Sequence, residues 1–263
     1  MAEQAVQFDD GAAYERFMGR WSRAVGAIFL DWVAPPKGAR WLDVGCGTGA
    51  FTEQVLDKCA PSSVMAVDPA AAQVEHARRQ PAGSRADFRV ADAQSLPFAE
   101  GMFDVVASAL VINFIPARSR AVAEMKRVAR PGGTVAGYVW DFAGGRGTGW
   151  PLMRGMRQTG IALPVVPGAD SSSLDALSAL FLQAGLRDVE TKPIEVIQSY
   201  ADFDDYWTAQ TPKFSPVGKA VAALSEPERT KLKDVVRGQL PIQPDGSIAY
   251  SACANAVKAG VPG

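Results

Sequence analysis

Arg40-Trp41-Leu42-Asp43-Val44-Gly45-Cys46-Gly47-Thr48-Gly49-Ala50-Phe51-Thr52-Glu53 is the stretch whose reading decides the fold. Residues 41–44 read as the end of a buried strand, and Phe51, Val55 and Leu56 fall at helical spacing beyond it. Between strand and helix, Gly45-Cys46-Gly47-Thr48-Gly49 forms a tight turn. Glycine adopts positive φ there without penalty and lets a ligand approach bare backbone. The helix that follows presents unpaired N–H groups at its first turn to whatever lies above it.

The pattern has more than one meaning. Gly45-Cys46-Gly47-Thr48-Gly49-Ala50 also satisfies G-x-G-x-x-G/A, the dinucleotide fingerprint. A dinucleotide sets an anionic pyrophosphate against this turn, where Asp43 would repel it. S-adenosylmethionine presents a sulfonium and an ammonium instead, and a carboxylate at the strand end suits those cations. A third reading makes Asp43 a turn or helix cap. Charge favours the cationic ligand.

Working outward, the 263 residues are enough for one large α/β domain with additions, or for two small ones. Hydrophobic residues are 48% and charged residues 21%, which predicts a packed core. A net charge of −1 gives no electrostatic reason to expect a nucleic-acid partner. Cys46, Cys59 and Cys253 are too few and too scattered for a disulfide framework or a metal cluster, so no metal and a reducing, cytoplasmic setting are expected. The first ten residues lack a basic region followed by an apolar run, so no signal peptide is expected. No apolar run approaches the roughly 20 residues a membrane span needs.

Upstream, residues 10–34 carry Tyr14, Phe17, Met18, Trp21, Val25, Ile28 and Phe29 at helical spacing, with Gly19 and Gly26 as weak points and Pro35-Pro36 as the stop. Core packing explains the stripe. Arg20 is also placed to pair with a ligand carboxylate, and Tyr14 or Trp21 to close over a methionine moiety.

Downstream, strands are predicted at 63–68, 87–91, 103–111 and 134–140, separated by helices over 70–79 and 119–129. Pro131-Gly132-Gly133 reads as a sharp stop before the last of them. Asp68 lies 23 residues beyond Gly45 and suits ribose hydroxyls, or else starts the next helix. Pro69 offers an apolar surface beside adenine, Asp92 an acceptor for its amino group, and the Ala93 amide a donor. Alternation of strand and helix predicts an α/β fold with a doubly wound, mostly parallel sheet. Ligands bind such sheets beyond the strands' carboxyl ends. Asp43, Asp68 and Asp92 each stand at such an end, so three chain-distant acids are expected at one crevice.

With those residues placed, 10–141 resembles the class I S-adenosylmethionine-dependent methyltransferases, in the type-11 branch related to the ubiquinone/menaquinone C-methyltransferases. The resemblance rests on Leu42-Asp43-Val44-Gly45-Cys46-Gly47-Thr48-Gly49, Val67-Asp68-Pro69, Ala91-Asp92-Ala93, Phe103-Asp104-Val105-Val106 and Val128-Ala129-Arg130-Pro131-Gly132-Gly133. A leading Tyr14…Met18-Gly19-Arg20-Trp21-Ser22 segment adds to it. It implies a seven-stranded Rossmann-like sheet closed by a hairpin whose last strand is antiparallel, with 186–196 and 247–257 as candidates. It implies S-adenosylmethionine as cofactor, its methionine end near Asp43, Arg20 and Ala109, and S-adenosylhomocysteine as product. It names no acceptor beyond a small molecule, and no oligomeric state.

The domain plan expected is an N-terminal helix and cofactor core over 1–141, a small helical substrate cap from 142–173 and 198–246, and completion of the sheet by 174–197 and 247–263. Residues 142–151 read as a lid or as an ordinary surface loop. Trp150, Met153, Met156, Tyr206, Trp207 and Phe214 either line an acceptor pocket or fill the cap's core. Residues 225–238 start with a helix-cap pattern. Methyl transfer needs alignment and exclusion of water, and a base only for a protonated acceptor. Asp141, after the fifth strand, is the candidate base; His76 reads as a surface-helix residue. A nicotinamide-dependent oxidoreductase and a non-catalytic S-adenosylmethionine-binding protein are the competing functions.

Overall fold

The computed structural model describes residues 18–263, so Tyr14 and the first part of the predicted leading helix lie outside the described residues. Within the described residues, helix α1 (Arg20–Val33) buries Trp21, Val25, Phe29 and Val33 at four-residue spacing, with Leu30 beside them, as an amphipathic stripe should. Gly26 does not interrupt it. A Cβ there would come within 2.2 Å of the Gln54 amide oxygen, the mobile end of a side chain on α2 (Ala50–Lys58).

The strands are β1 (Arg40–Val44), β2 (Ser63–Asp68), β3 (Asp87–Val90), β4 (Phe103–Ala109), β5 (Ala129–Trp140), β6 (Arg187–Tyr200) and β7 (Ile248–Gly260). They form one seven-stranded sheet in the order β3-β2-β1-β4-β5-β7-β6. Neighbours from β3 through β5 are parallel, and β7 runs antiparallel to β5. Helices α2 (Ala50–Lys58), α3 (Ala71–Arg79) and α4 (Arg118–Val128) make the crossovers, and α6 (Leu174–Gln183) precedes β6.

The predicted stop at 131–133 is wrong in one respect. Strand β5 already begins at Ala129, paired with Phe103, and resumes pairing at Thr134 with Val105. Arg130-Pro131-Gly132-Gly133 is therefore a bulge within the strand, with Gly132 at φ +67°. Local turn chemistry marked the bulge correctly but could not show that pairing resumes across it. The expected β4 ends at Ala109, where Leu110 turns to φ +63°.

The described chain divides into two compact units. The larger comprises 23–144, 167–194 and 253–263 and holds β1–β5 with α2–α4 and α6. Its core on one sheet face joins Leu42, Val44, Val106, Val135, Val139 and Val257 to Val122, Met125, Leu177 and Phe181. On the other face Phe29 and Phe51 pack on Tyr138, at ring-centroid distances of 4.7 and 5.9 Å.

The smaller unit comprises residues 18–22, 145–166 and 195–252, with helices α5 (Trp150–Gln158), α7 (Phe203–Gln210), α8 (Pro216–Ala222) and α9 (Glu226–Arg237). Its core is aromatic: Tyr200 stacks on Tyr250 at 5.9 Å, and Tyr206, Trp21 and Trp150 pack around Tyr250. Met156 and Tyr206 are fully buried and Trp207 is nearly so, which makes them packing residues of this unit. No helix of the described residues is long and apolar enough to cross a membrane, and no group of acids, histidines and cysteines among them is arranged to hold a metal.

Candidate functional site

The site is built at the carboxyl ends of β1, β2 and β3, which lie side by side. Backbone geometry explains the glycines. Gly45, Gly47 and Gly49 have φ of +83°, +52° and +88°, values that side chains other than glycine's rarely adopt. Two of the three glycines have a second, steric reason. A Cβ on Gly45 would meet Val111 at 2.5 Å, and one on Gly49 would press on Phe88 and Ala77 at 3.2 and 3.3 Å. A Cβ on Gly47 would meet nothing within 4 Å. Gly47 is thus the one turn glycine facing open space.

The turn is held from below by its own amides. Val67 O accepts from the N–H groups of Gly45 and Cys46 at 2.7 and 3.0 Å, and Gly49 N–H donates to Cys46 O at 2.8 Å. Asp68 Oδ2 accepts from Gly47 N–H at 2.9 Å, while Asp68 Oδ1 accepts from Ala70 N–H at 2.9 Å. One carboxylate therefore holds both the turn and the start of α3, the second of these being the helix-start reading of the sequence.

The three acids stand in a staircase. Register pairs Asp43 with Ala66, so Asp68 lies two residues further along on the same face, a step of about 7 Å. Asp68 in turn pairs with Val90, and Asp92 lies two residues beyond that. Burial falls along the series: Asp43 is 1% exposed, Asp68 half-buried and Asp92 exposed. Asp92 Oδ1 accepts from Gln94 N–H at 2.8 Å, which holds its carboxyl below the usual range.

Asp43 behaves differently from the simple anion read in the sequence. Burial pushes its carboxyl up to about 7, against the opposing hydrogen bond from Thr52, and nearby Asp68 adds to the rise. Thr52 Oγ1 donates to Asp43 Oδ2 at 2.6 Å, and Asp43 Oδ1 has no hydrogen-bond partner among the described residues. Thr52 was missed by the motif reading. Its signal was a hydroxyl on the buried face of α2, between Phe51 and Val55.

The remaining candidates separate. Cys46 turns its side chain into a small apolar cluster with Ala66, Val74, Ala77 and Phe88; burial pushes its thiol well above the ordinary range, so only its backbone faces the turn. Ala93 is buried in the main core and Pro69 is exposed beside Asp68. Ala109 ends β4 half-buried, and Leu110 N–H donates to Tyr138 O at 2.8 Å. Arg20 and Trp21 belong to the smaller unit, Arg20 exposed and Trp21 buried against Tyr250. Asp141 follows β5, 3% exposed, and its Oδ1 accepts from Gly144 N–H at 2.9 Å, closing a turn. His76 is exposed on α3 beside Gln80, as expected.

Residues 42–137 match the family model described as "Methyltransferase domain". A malonyl-[acyl-carrier protein] O-methyltransferase of Geobacter sulfurreducens is 30% identical over 205 residues, which cover 75% of this chain and 72% of that protein. The chain belongs to the class I S-adenosylmethionine-dependent methyltransferases. A biotin biosynthesis bifunctional protein of Cellvibrio japonicus is 38% identical over 130 residues, but that match spans 49% of this chain and only 25% of the relative. Among solved structures, phosphoethanolamine N-methyltransferase 2 of Haemonchus contortus, in complex with S-adenosyl-L-methionine, has a TM-score of 0.58 at 17% identity. That match covers 95% of this chain and 56% of that one. The likeness is one of fold, and the domain match stays within β1–β5.

Proposed function

We propose that this chain transfers the methyl group of S-adenosylmethionine to a small-molecule acceptor and releases S-adenosylhomocysteine. The acid staircase is the observation that carries the reading. Its steps of about 7 Å follow the length of an extended nucleoside–amino acid ligand, with the most buried acid at the cationic end. Gly47 supplies backbone that a ligand can approach, and the unpartnered Asp43 Oδ1 is an acceptor awaiting a donor.

In this reading the methionine end lies near Asp43, the ribose hydroxyls on Asp68, and adenine between Pro69 and the Asp92-Ala93 segment. A pyrophosphate in the same place would face Asp43 and Asp68 together, which is the electrostatic argument against a dinucleotide. The bound cofactor supplies a methyl group on a sulfonium, already activated for in-line displacement. The residues of this chain bind, orient and exclude water. Asp141 is proposed to accept a proton where the acceptor carries one. Residues 142–173 and 198–246 are proposed to recognise the acceptor.

Asp68→Ala tests the assignment. Calorimetry should show S-adenosylhomocysteine affinity reduced at least a hundredfold with the chain still folded; affinity like that of the wild type removes Asp68 from the site. Thermal stabilisation by S-adenosylhomocysteine and not by NAD separates the methyltransferase reading from the oxidoreductase. Transfer of a labelled methyl group into a metabolite pool that includes a malonyl thioester separates turnover from binding alone.

A further inference from the structure

Asp43 has a helper. We propose that Thr52 is a positioning residue that holds the Asp43 carboxylate through Oδ2, leaving Oδ1 for the cofactor's cationic end and coupling cofactor uptake to loss of one proton. The proposal rests on the cofactor reading above and adds to it a residue and a linkage that the glycine motif does not contain.

The geometry is specific. Thr52 and Asp43 are 0% and 1% exposed, nine residues apart in the chain, and meet at 2.6 Å across the turn that joins β1 to α2. A carboxylate normally accepts several hydrogen bonds. Here one oxygen is satisfied by a neutral hydroxyl and the other by nothing among the described residues, although both are shut away from water. Native proteins rarely leave such an atom without a partner unless a water, an ion or a ligand supplies one. An ammonium or a sulfonium-bearing group fits best, because it contributes charge that the site lacks.

The titratable groups that face Asp43 are few. Asp68 on β2 disfavours its ionisation, and the Cys46 thiol in the turn stays protonated. Without a ligand, therefore, Asp43 is divided between neutral and ionised forms near neutral pH. A cation prefers the ionised form, so binding must expel the proton from that fraction of the protein that holds it. Thr52 sets where this happens, since its hydroxyl donates only to the anion's benefit.

The test is cofactor binding by calorimetry from pH 5.5 to 7, a window in which the ligand's own α-amine (ordinary value about 7.7–8.0) stays charged. S-adenosylmethionine affinity of the wild type should fall about tenfold per unit below pH 7, with proton release that scales with buffer ionisation enthalpy. Thr52→Val should move this profile to higher pH, weakening binding at pH 7 by about tenfold. Thr52→Ser should restore the wild-type profile, and Asp43→Asn should bind weakly and without pH dependence. Binding that is tight and flat across the window in the wild type, or a Thr52→Val profile that coincides with it, overturns the proposal while leaving the cofactor reading intact. Absence of S-adenosylmethionine binding at every pH overturns both. Thermal melts of each variant without ligand show whether a loss comes from unfolding, and Thr52→Ser supplies the comparison if Thr52→Val fails to fold.

Discussion

The turn at 45–49 and the helical unit of 145–166 and 195–252 are built by opposite means. In the turn, individual residue types are forced by backbone conformation: three positive φ angles and, at Gly47, an amide held by a carboxylate with open space where a Cβ would stand. In the helical unit, size and shape decide, with an aromatic core built on Tyr200, Tyr206 and Tyr250. A site made by backbone constraint leaves a signature in sequence. A site made by packing leaves only an amphipathic pattern, which many cores share.

Glycine substitutions break that comparison most sharply. Gly45→Ala should cost about 2–4 kcal/mol, combining a left-handed backbone with overpacking against Val111 at 2.5 Å. Gly47→Ala faces open space and should cost only about 1 kcal/mol for its φ of +52°. Yet Gly47→Ala should lose most of the S-adenosylhomocysteine affinity, since its methyl group stands where the ligand approaches. Denaturant midpoints and calorimetry on the pair measure both effects; equal stability losses would mean that the two glycines are not distinguished by their surroundings.

In the helical unit the corresponding glycine is Gly155 on α5. A Cβ there would lie 2.5 Å from Val236 Cγ2 and 3.4 Å from Leu232 Cδ1 on α9. Alanine gains up to about 1 kcal/mol in helix propensity, while overpacking costs about 1–3 kcal/mol. Gly155→Ala should therefore destabilise by about 1–2 kcal/mol, and the loss should shrink in a Val236→Ala background. Chemical denaturation of the four proteins in the cycle decides it. S-adenosylhomocysteine affinity should stay within threefold, in contrast with Gly47→Ala.

How much was legible follows the same division. Asp43, Asp68 and Asp92 could be placed from sequence because strand ends are marked by the switch from apolar run to turn, and the sheet order then brings them side by side. The depth of each could not be read: a one-dimensional pattern does not reveal that Asp43 is shut away with Thr52 while Asp92 stands in solvent. The bulge at Arg130-Pro131-Gly132-Gly133 escaped for a related reason, since pairing with Phe103 on one side and Val105 on the other is a long-range fact. For Trp150, Met156, Tyr206 and Trp207 the sequence left pocket and core open, and burial places the last three in the core.

At the opposite end of β4 from the site, Asp104 tests stability without touching the turn. Its carboxylate accepts from Arg40 N–H and Nε at 2.8 and 3.0 Å and from Arg130 Nε at 2.5 Å. The side-chain hydrogen bond from Arg40 leads in holding it well below the ordinary carboxylate range. A group whose value is lowered on folding stabilises above its unfolded value, about 3.9, and loses that contribution as pH falls below it. Asp104→Asn should cost about 1–2 kcal/mol at pH 7, with the deficit shrinking progressively as the pH drops from 4 to 2. Urea midpoints across that range give the answer; a deficit independent of pH would assign the effect to packing. Asp43 has the opposite sign: its raised value makes ionisation unfavourable in the fold, so in the ligand-free protein stability falls as pH rises from about 4 through 7.

The smallest effect belongs to the helical unit and probes the one feature there that the sequence specified residue by residue. Ser225 and Glu228 cap α9 reciprocally: the Ser225 side chain serves the third residue of the helix, and Glu228 Oε2 accepts from Ser225 N–H at 2.9 Å. Both groups are exposed, so water replaces much of what either loses. Ser225→Ala should thus cost about 0.5–1 kcal/mol, near the low end for N-cap replacements. Hydrogen exchange should localise the loss to the first turn of α9, with the amides of α2 unchanged. If protection is lost equally in α2, the two elements open together, and the division between a region fixed by backbone constraint and one fixed by packing would have to give way to a single cooperative structure.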